Sequence, residues 1–148
     1  MNFLPEDSTH MAHALELARR GLYTTTPNPR VGCVLTRDGV VIGEGWHERA
    51  GEPHAEVHAL RAASERGMDA RGTTAYVTLE PCVMCMGAIS HARIRRIVFG
   101  APDPKRGAAG SALQLADADF LNHRIEVEGG LHADACSGLL LDFFKARR

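Results

Sequence analysis

Apolar positions along the chain change their period several times, and each change marks an element. Met11, Leu15, Ala18 and Leu22 recur at helical spacing, so a first helix is expected over residues 9–20, with Gly21 placed to end it. Thr, Pro and Asn crowd residues 24–29, the composition of a loop. Two apolar runs follow, 31–35 and 40–43, and the Asp38-Gly39 pair between them is a strong hairpin signal. Residues 53–66 carry Val57, Leu60 and Ala63 on one helical face, and 74–79 form a third strand. Pro81 is placed to open a third helix, because a first-turn N–H has no helical partner. Residues 94–99 are a fourth strand. After a loop with Pro102, Pro104, Gly107 and Gly110, residues 124–128 alternate polar and apolar as a half-exposed strand does. A last helix over 132–146 would pack Leu139, Leu140, Phe143 and Phe144.

Strands alternating with helices predict an α/β layered domain, and the early hairpin makes its sheet mixed rather than wholly parallel. No internal repeat, low-complexity tract or linker divides the chain, so residues 1–148 are expected to form one domain. Hydrophobic residues make up 45% and charged ones 24%, which excludes a disordered chain. The net charge of −1 excludes a globally basic nucleic-acid binder, so only local clusters can argue for that partner. The start of the chain has neither basic residues nor an apolar run, which argues against a secretory signal. No apolar stretch is long enough to span a bilayer. The four cysteines therefore fit a cytoplasmic protein with reduced thiols.

Two short segments carry the chemistry: His54-Ala55-Glu56 and Pro81-Cys82-Val83-Met84-Cys85. A spacing of three puts Cys82 and Cys85 on one face of a helix, and a helix start favours anionic thiolates. His54 is a third ligand that zinc accepts, and no fourth protein ligand is evident. Structural zinc sites close with four ligands, whereas three leave room for water, whose pKa zinc lowers toward ~7. Glu56 stands two residues beyond His54, so both can face the metal only by straddling a helix start, which Pro53 makes plausible. Glu56 would then take a proton from the water and pass it to a bound substrate. The alternatives are bland: a structural zinc knuckle for the cysteines, and a satisfied surface histidine for His54.

The combination H-x-E with P-C-x-x-C is similar to the signature of zinc-dependent nucleobase deaminases. The whole chain resembles the cytidine-deaminase-like superfamily, with a different branch in each half. Thr26-Pro27-Asn28-Pro29-Arg30-Val31-Gly32 and Gly51-Glu52-Pro53-His54-Ala55-Glu56 resemble the deaminase domain of the bifunctional riboflavin-biosynthesis enzyme. Pro81-Cys82-Val83-Met84-Cys85, Lys105-Arg106-Gly107-Ala108-Ala109-Gly110-Ser111 and Asp142-Phe143-Phe144 resemble the bacterial tRNA-specific adenosine deaminases. The resemblance changes hands within Tyr76-Val77-Thr78-Leu79-Glu80-Pro81-Cys82. It implies a three-layer α/β/α domain with a mixed, roughly five-stranded sheet, zinc as cofactor, a homodimer, and deamination of adenosine in a tRNA anticodon stem-loop.

The tRNA branch is favoured for three reasons. The riboflavin branch resembles a longer loop between its zinc cysteines, with a basic residue for a phosphorylated substrate, where this chain has only Val83 and Met84. The riboflavin enzyme usually carries a reductase domain, for which this length leaves no room. The loop after the fourth strand and the C-terminal helix are the parts that hold RNA in the tRNA family. Carried over by position, Asp103 and Lys105 match loop residues near the flipped nucleotide, and Phe143, Phe144 and Arg147 match the C-terminal binding edge. Asn28 and His47 match the riboflavin branch instead, which puts the base pocket between the two.

Arg93, Arg95, Arg96, Lys105, Arg106, Lys145, Arg147 and Arg148 form basic clusters, either a phosphate track or a solvated face. Cys33 and Cys136 fit small buried hydrophobes, and His58 a structural histidine. The third helix, with Met84, Met86, Ala88 and Ile89, is apolar nearly all round and is expected to be buried on more than one side, which hints at a dimer interface. Rival functions are deamination of a free pyrimidine nucleotide or of free guanine or cytosine derivatives, and a non-catalytic zinc module.

Overall fold

The computed structural model describes residues 3–21 and 30–146, with side chains to residue 140. The expectations for Asn28, for the Phe143, Phe144 and Lys145 side chains and for Arg147 and Arg148 lie outside these residues. The chain forms α1 (Pro5–Arg19), β1 (Gly32–Arg37), β2 (Val40–Trp46), α2 (Ala55–Glu65), β3 (Thr74–Leu79), α3 (Val83–His91), β4 (Arg96–Ala101), β5 (Glu126–Gly129) and α4 (Ala133–Ala146). A short 3-10 turn, Asp119–Leu121, precedes β5.

α1 starts earlier than its apolar period predicts. Pro5 suits the first helical turn, and the Leu4 N–H donates to the Asp7 carboxylate at 2.7 Å, so the start is capped from within. The hairpin forms as expected: Asp38 and Gly39 both take positive φ, 51° and 81°, as a two-residue turn between twisted strands requires. β2 runs past its apolar stretch because Gly43 and Gly45 are strand residues chosen for size. A side chain at Gly45 would come within 2.6 Å of the Ala59 nitrogen, so glycine lets α2 lie directly on the sheet.

The sheet order is β2-β1-β3-β4-β5. β1 is antiparallel to both β2 and β3, while β3, β4 and β5 run parallel. The sheet is mixed and five-stranded, as expected. Strand residues alternate between two cores. Cys33, Leu35, Ala75, Val77, Ile97 and Phe99 face α2 and α3 through Ala59, Ala63, Met86 and Ile89. Val34, Tyr76 and Val98 face α1 and α4 through Met11, Ala14, Leu17, Cys136 and Leu139. This is the three-layer α/β/α arrangement. Cys33 and Cys136 are buried small apolar groups.

A buried polar group ties α1 to the sheet. Asp7 accepts hydrogen bonds from Tyr76 Oη at 2.5 Å and from both Arg96 guanidinium nitrogens at 3.0 and 2.8 Å. Arg96 is therefore no part of a basic surface: it is buried and paired, 89 residues from its partner. Burial works against ionisation of Asp7, but hydrogen bonds from Arg96, Tyr76 and the Leu4 amide outweigh it and hold its carboxyl below the usual value. The substitution Asp7→Ala leaves Arg96 buried without a counter-charge and is expected to cost about 3–5 kcal/mol at neutral pH. A carboxyl with a depressed pKa in the fold stabilises fully above its unfolded pKa of about 3.9, and that stabilisation is lost as pH falls through the folded value. Urea titrations at neutral and acid pH are expected to show the gap between wild type and variant closing in acid. A gap independent of pH contradicts the assignment.

Candidate metal centre and catalytic cleft

The parallel strands β3 and β4 end at Leu79 and Ala101, and the chain after β3 turns into α3 at that edge. Clefts beyond the carboxyl ends of parallel strands are the usual ligand sites of such sheets. Two helix starts meet here. His54 caps α2 with extended backbone (φ −73°, ψ 169°), and Cys82 caps α3 in the same way (φ −80°, ψ 179°). Glu56 and Cys85 lie in the first turns that follow.

The straddling geometry expected for His54 and Glu56 is thus realised at the boundary where the backbone turns helical. Pro81 differs from expectation. It stands ahead of the helix, and Cys82 is the cap rather than a helical residue. The Ala108 N–H donates to the Pro81 carbonyl at 2.8 Å and holds that residue in an extended crossing instead. The spacing of three still brings the sulfurs together, because a cap residue and the third helical residue face each other.

Cys82 Sγ and Cys85 Sγ are 3.7 Å apart, and His54 Nδ1 lies 3.7 Å from the first and 3.3 Å from the second. Zinc bonds of about 2.3 Å to sulfur and 2.0–2.1 Å to nitrogen in a tetrahedron put such edges at about 3.8 and 3.6 Å. The three donors are therefore spaced for one zinc ion, and their chemistry is of the kind zinc prefers. No further His, Cys, Asp or Glu joins this group among the described residues.

Electrostatics agree with the spacing. A hydrogen bond from the Cys85 thiol, opposed by burial and aided by His54, holds Cys82 down to about 3. Cys85, as the donor to that thiolate and a buried group, is pushed far up. The hydrogen bond to Cys82 raises His54. Two helix starts add positive potential beside the thiolate. Glu56 is buried, and burial above all raises its carboxyl over the usual value, against hydrogen bonds from backbone and Cys85. A carboxyl shifted toward neutrality beside a metal site is suited to accept a proton and return it.

The cleft above these groups is walled by Val31 and Leu79 and lined by His47, Glu80, Asp103 and Arg106. His47 is buried. Its Nδ1–H donates to the Pro53 carbonyl at 3.2 Å, which makes Nε2 an acceptor, and burial lowers its pKa so that it stays neutral. Its ring meets that of His54 edge-on at 5.4 Å. Asp103 reaches the cleft as expected, whereas Lys105 is exposed and does not line it. Arg106, expected only as part of a basic cluster, is the cation that does. Glu80, Val31 and Leu79 also line it, without a spacing that marks them as site residues. His58 sits 3.7 Å from Glu48, outside the metal centre.

α3 is not buried on more than one side. Cys85, Met86, Ile89 and Ser90 are buried, while Val83 and Met84 are 49% and 71% exposed. The apolar residues face two ways, inward to the core and outward to solvent.

Residues 4–101 match the family described as the cytidine and deoxycytidylate deaminase zinc-binding region. The chain is 47% identical over 97% of its length to "Riboflavin biosynthesis protein RibD" of Escherichia coli (strain K12), of which it spans 39%. It is 44% identical over 96% of its length to the "tRNA-specific adenosine deaminase" of Haemophilus influenzae, of which it spans 85%. It is also 39% identical over 94% of its length to "Diaminohydroxyphosphoribosylamino-pyrimidine deaminase" of Buchnera aphidicola subsp. Acyrthosiphon pisum, of which it spans 94%. This last relative corrects the length argument. A pyrimidine deaminase can match this chain over nearly its whole length, so length does not discriminate between the branches.

Proposed function

This chain belongs to the zinc-binding cytidine and deoxycytidylate deaminase family, and from that premise we propose that it converts adenosine to inosine in the anticodon loop of a tRNA. The observation that carries the choice of branch is the short segment between the cysteines at the start of α3. Only Val83 and Met84 separate the zinc cysteines, both are exposed, and no inter-cysteine loop closes over the site with a basic residue for a small phosphorylated ligand. A short, exposed segment there leaves access for a base presented by a polymer. An unpaired loop base costs little to extrude.

The residues divide the reaction among them. His54, Cys82 and Cys85 would hold zinc, which when bound lowers the pKa of water toward neutrality. Glu56 is the group that would take a proton from the attacking water as a C6–O bond forms on adenine. It delivers the proton to N1, and then carries the second proton to the departing amine, so that water and adenosine become inosine and ammonia. Val31 and Leu79 pack against the faces of the base, and Asp103 and Arg106 meet its flanking sugar and phosphate.

A second reading is deamination of a free pyrimidine nucleotide. His47 favours it, because a neutral buried imidazole sits in the cleft where the riboflavin branch has histidine. Ammonia release separates the two. An adenosine-containing anticodon stem-loop is expected to be turned over, and the phosphoribosylamino-pyrimidine far more slowly. Turnover of the pyrimidine alone would remove the tRNA reading.

We also propose a homodimer built on the outer face of α3. Val83 and Met84 at the start of α3, and Phe120, 77% exposed and close to Gly87 and His91 further along it, are apolar side chains that a monomer would leave in water. Light scattering is expected to return twice the 16.0 kDa chain mass, and a monomer at micromolar concentration contradicts it. The absence of any helix long and apolar enough to cross a membrane among the described residues agrees with the cytoplasmic setting we propose.

A further inference from the structure

Glu80 is a buried carboxylate that the deamination step does not use, and its partners all come from one loop. It follows the last residue of β3 and stands two residues before the zinc ligand Cys82. Oε1 accepts the Asp103 N–H at 3.1 Å and the Ser111 hydroxyl at 2.5 Å. Oε2 accepts the Ala109 and Ser111 N–H groups at 3.1 and 3.0 Å. Both oxygens are thus satisfied by neutral donors, and among the described residues no salt bridge involves Glu80.

The loop is folded around this carboxylate. Asp103 Oδ1 accepts the Lys105 and Arg106 N–H groups at 3.2 and 3.1 Å, and the Gly107 N–H closes on the Asp103 carbonyl at 2.8 Å. The next residue, Ala108, donates to the Pro81 carbonyl. Gly107 has to be glycine, because a Cβ there would run into the Glu80 carboxylate. The loop in turn carries Asp103 and Arg106 to the cleft that His54 and Glu56 line. One side chain therefore connects the segment that holds the metal to the wall that meets the substrate.

We propose that Glu80 is a positioning residue that fixes the 103–111 loop relative to the metal centre and so sets substrate affinity. The proposal rests on the deaminase reading above. A buried carboxylate that organised the loop only for stability would affect melting, not KM. The substitution Glu80→Gln turns one acceptor oxygen into a donor that faces N–H groups, so hydrogen bonds are lost without loss of volume. Ser111→Ala removes one exposed donor and keeps the fold even if Glu80→Gln does not.

The test measures zinc content, amide exchange of residues 103–111, kcat and KM. The probe is the anticodon stem-loop, or the pyrimidine nucleotide if that is what the wild-type protein deaminates. Glu80→Gln is expected to keep zinc, to speed exchange at Asp103, Ala109 and Ser111, and to raise KM by about tenfold, more than it lowers kcat. Ser111→Ala is expected to raise KM by about threefold with little change in melting. Wild-type exchange rates in Glu80→Gln, or faster exchange with KM unchanged in both variants, would overturn the proposal. A wild-type protein that holds zinc yet deaminates neither probe removes both substrate readings above, and the proposal falls with them. That result is distinct from an active enzyme whose KM ignores Glu80.

Discussion

Replacing Glu56 by glutamine is expected to lower kcat by about 10²–10⁴-fold while the protein keeps its zinc and its fold. The amide matches the carboxylate in shape but cannot take up a proton and return it. Glu56 is not among the three clustered metal donors, so its loss leaves His54, Cys82 and Cys85 in place. It is buried, and burial already opposes its charge, so a neutral amide is not penalised there. The expected signature is a kcat loss with KM nearly unchanged, because proton transfer matters in the transition state and little in binding. Metal analysis, thermal melting and single-turnover rates check it together. A variant that keeps its kcat would assign the protons to another group and contradict the role given to Glu56.

Removing the metal is expected to have the larger effect on the molecule as a whole. Chelation, or the substitution Cys85→Ser, should reduce turnover to the uncatalysed background, and zinc should restore the chelated wild type but not the variant. Zinc bound only by the folded form also stabilises it by mass action, so the melting temperature should rise with free zinc. The protonation states give this a pH signature. Cys85 retains its proton in the metal-free site, and His54 holds one to higher pH than an ordinary histidine. Zinc must displace these protons, so binding at neutral pH releases them and weakens as pH falls. Calorimetry in buffers of different ionisation enthalpy reads the number released. Binding without proton release would contradict the ligand assignment.

The candidate metal centre is legible in the chain because its chemistry is local. His54 and Glu56 are two residues apart, Cys82 and Cys85 three, and each pair sits at a helix start marked by a nearby proline. The hairpin was equally legible, since Asp38 and Gly39 alone tolerate the turn between two apolar runs. What could not be read was held over distance. Glu80 belongs to a quoted motif, yet its partners lie 23 to 31 residues downstream, and no spacing rule announces a carboxylate satisfied by loop amides. Arg96 looked like one more surface cation until Asp7, 89 residues away, took its charge. The outward face of α3 was blurred in the same way: Met84 and Met86 have one chemistry, and only the packing separates the exposed one from the buried one. Gly45 interrupted a strand pattern for a reason that belongs to α2 rather than to the strand.

The choice between a polymer-borne adenosine and a free pyrimidine turns on walls, and the walls come from both halves of the chain. His47 stands on the loop after β2, Asp103 and Arg106 on the loop after β4, and the exposed Val83 and Met84 follow the cleft residue Cys82. Substrate discrimination is therefore expected to respond to substitutions in either half, while the proton chemistry of Glu56 stays common to both.

X-ray absorption at the zinc edge of the purified protein tests the central claim most directly. The account predicts one zinc per chain with two sulfur ligands and one imidazole from the protein, and a fourth position left to a non-protein ligand. A fourth protein ligand, or a folded and active protein without stoichiometric zinc, would contradict it.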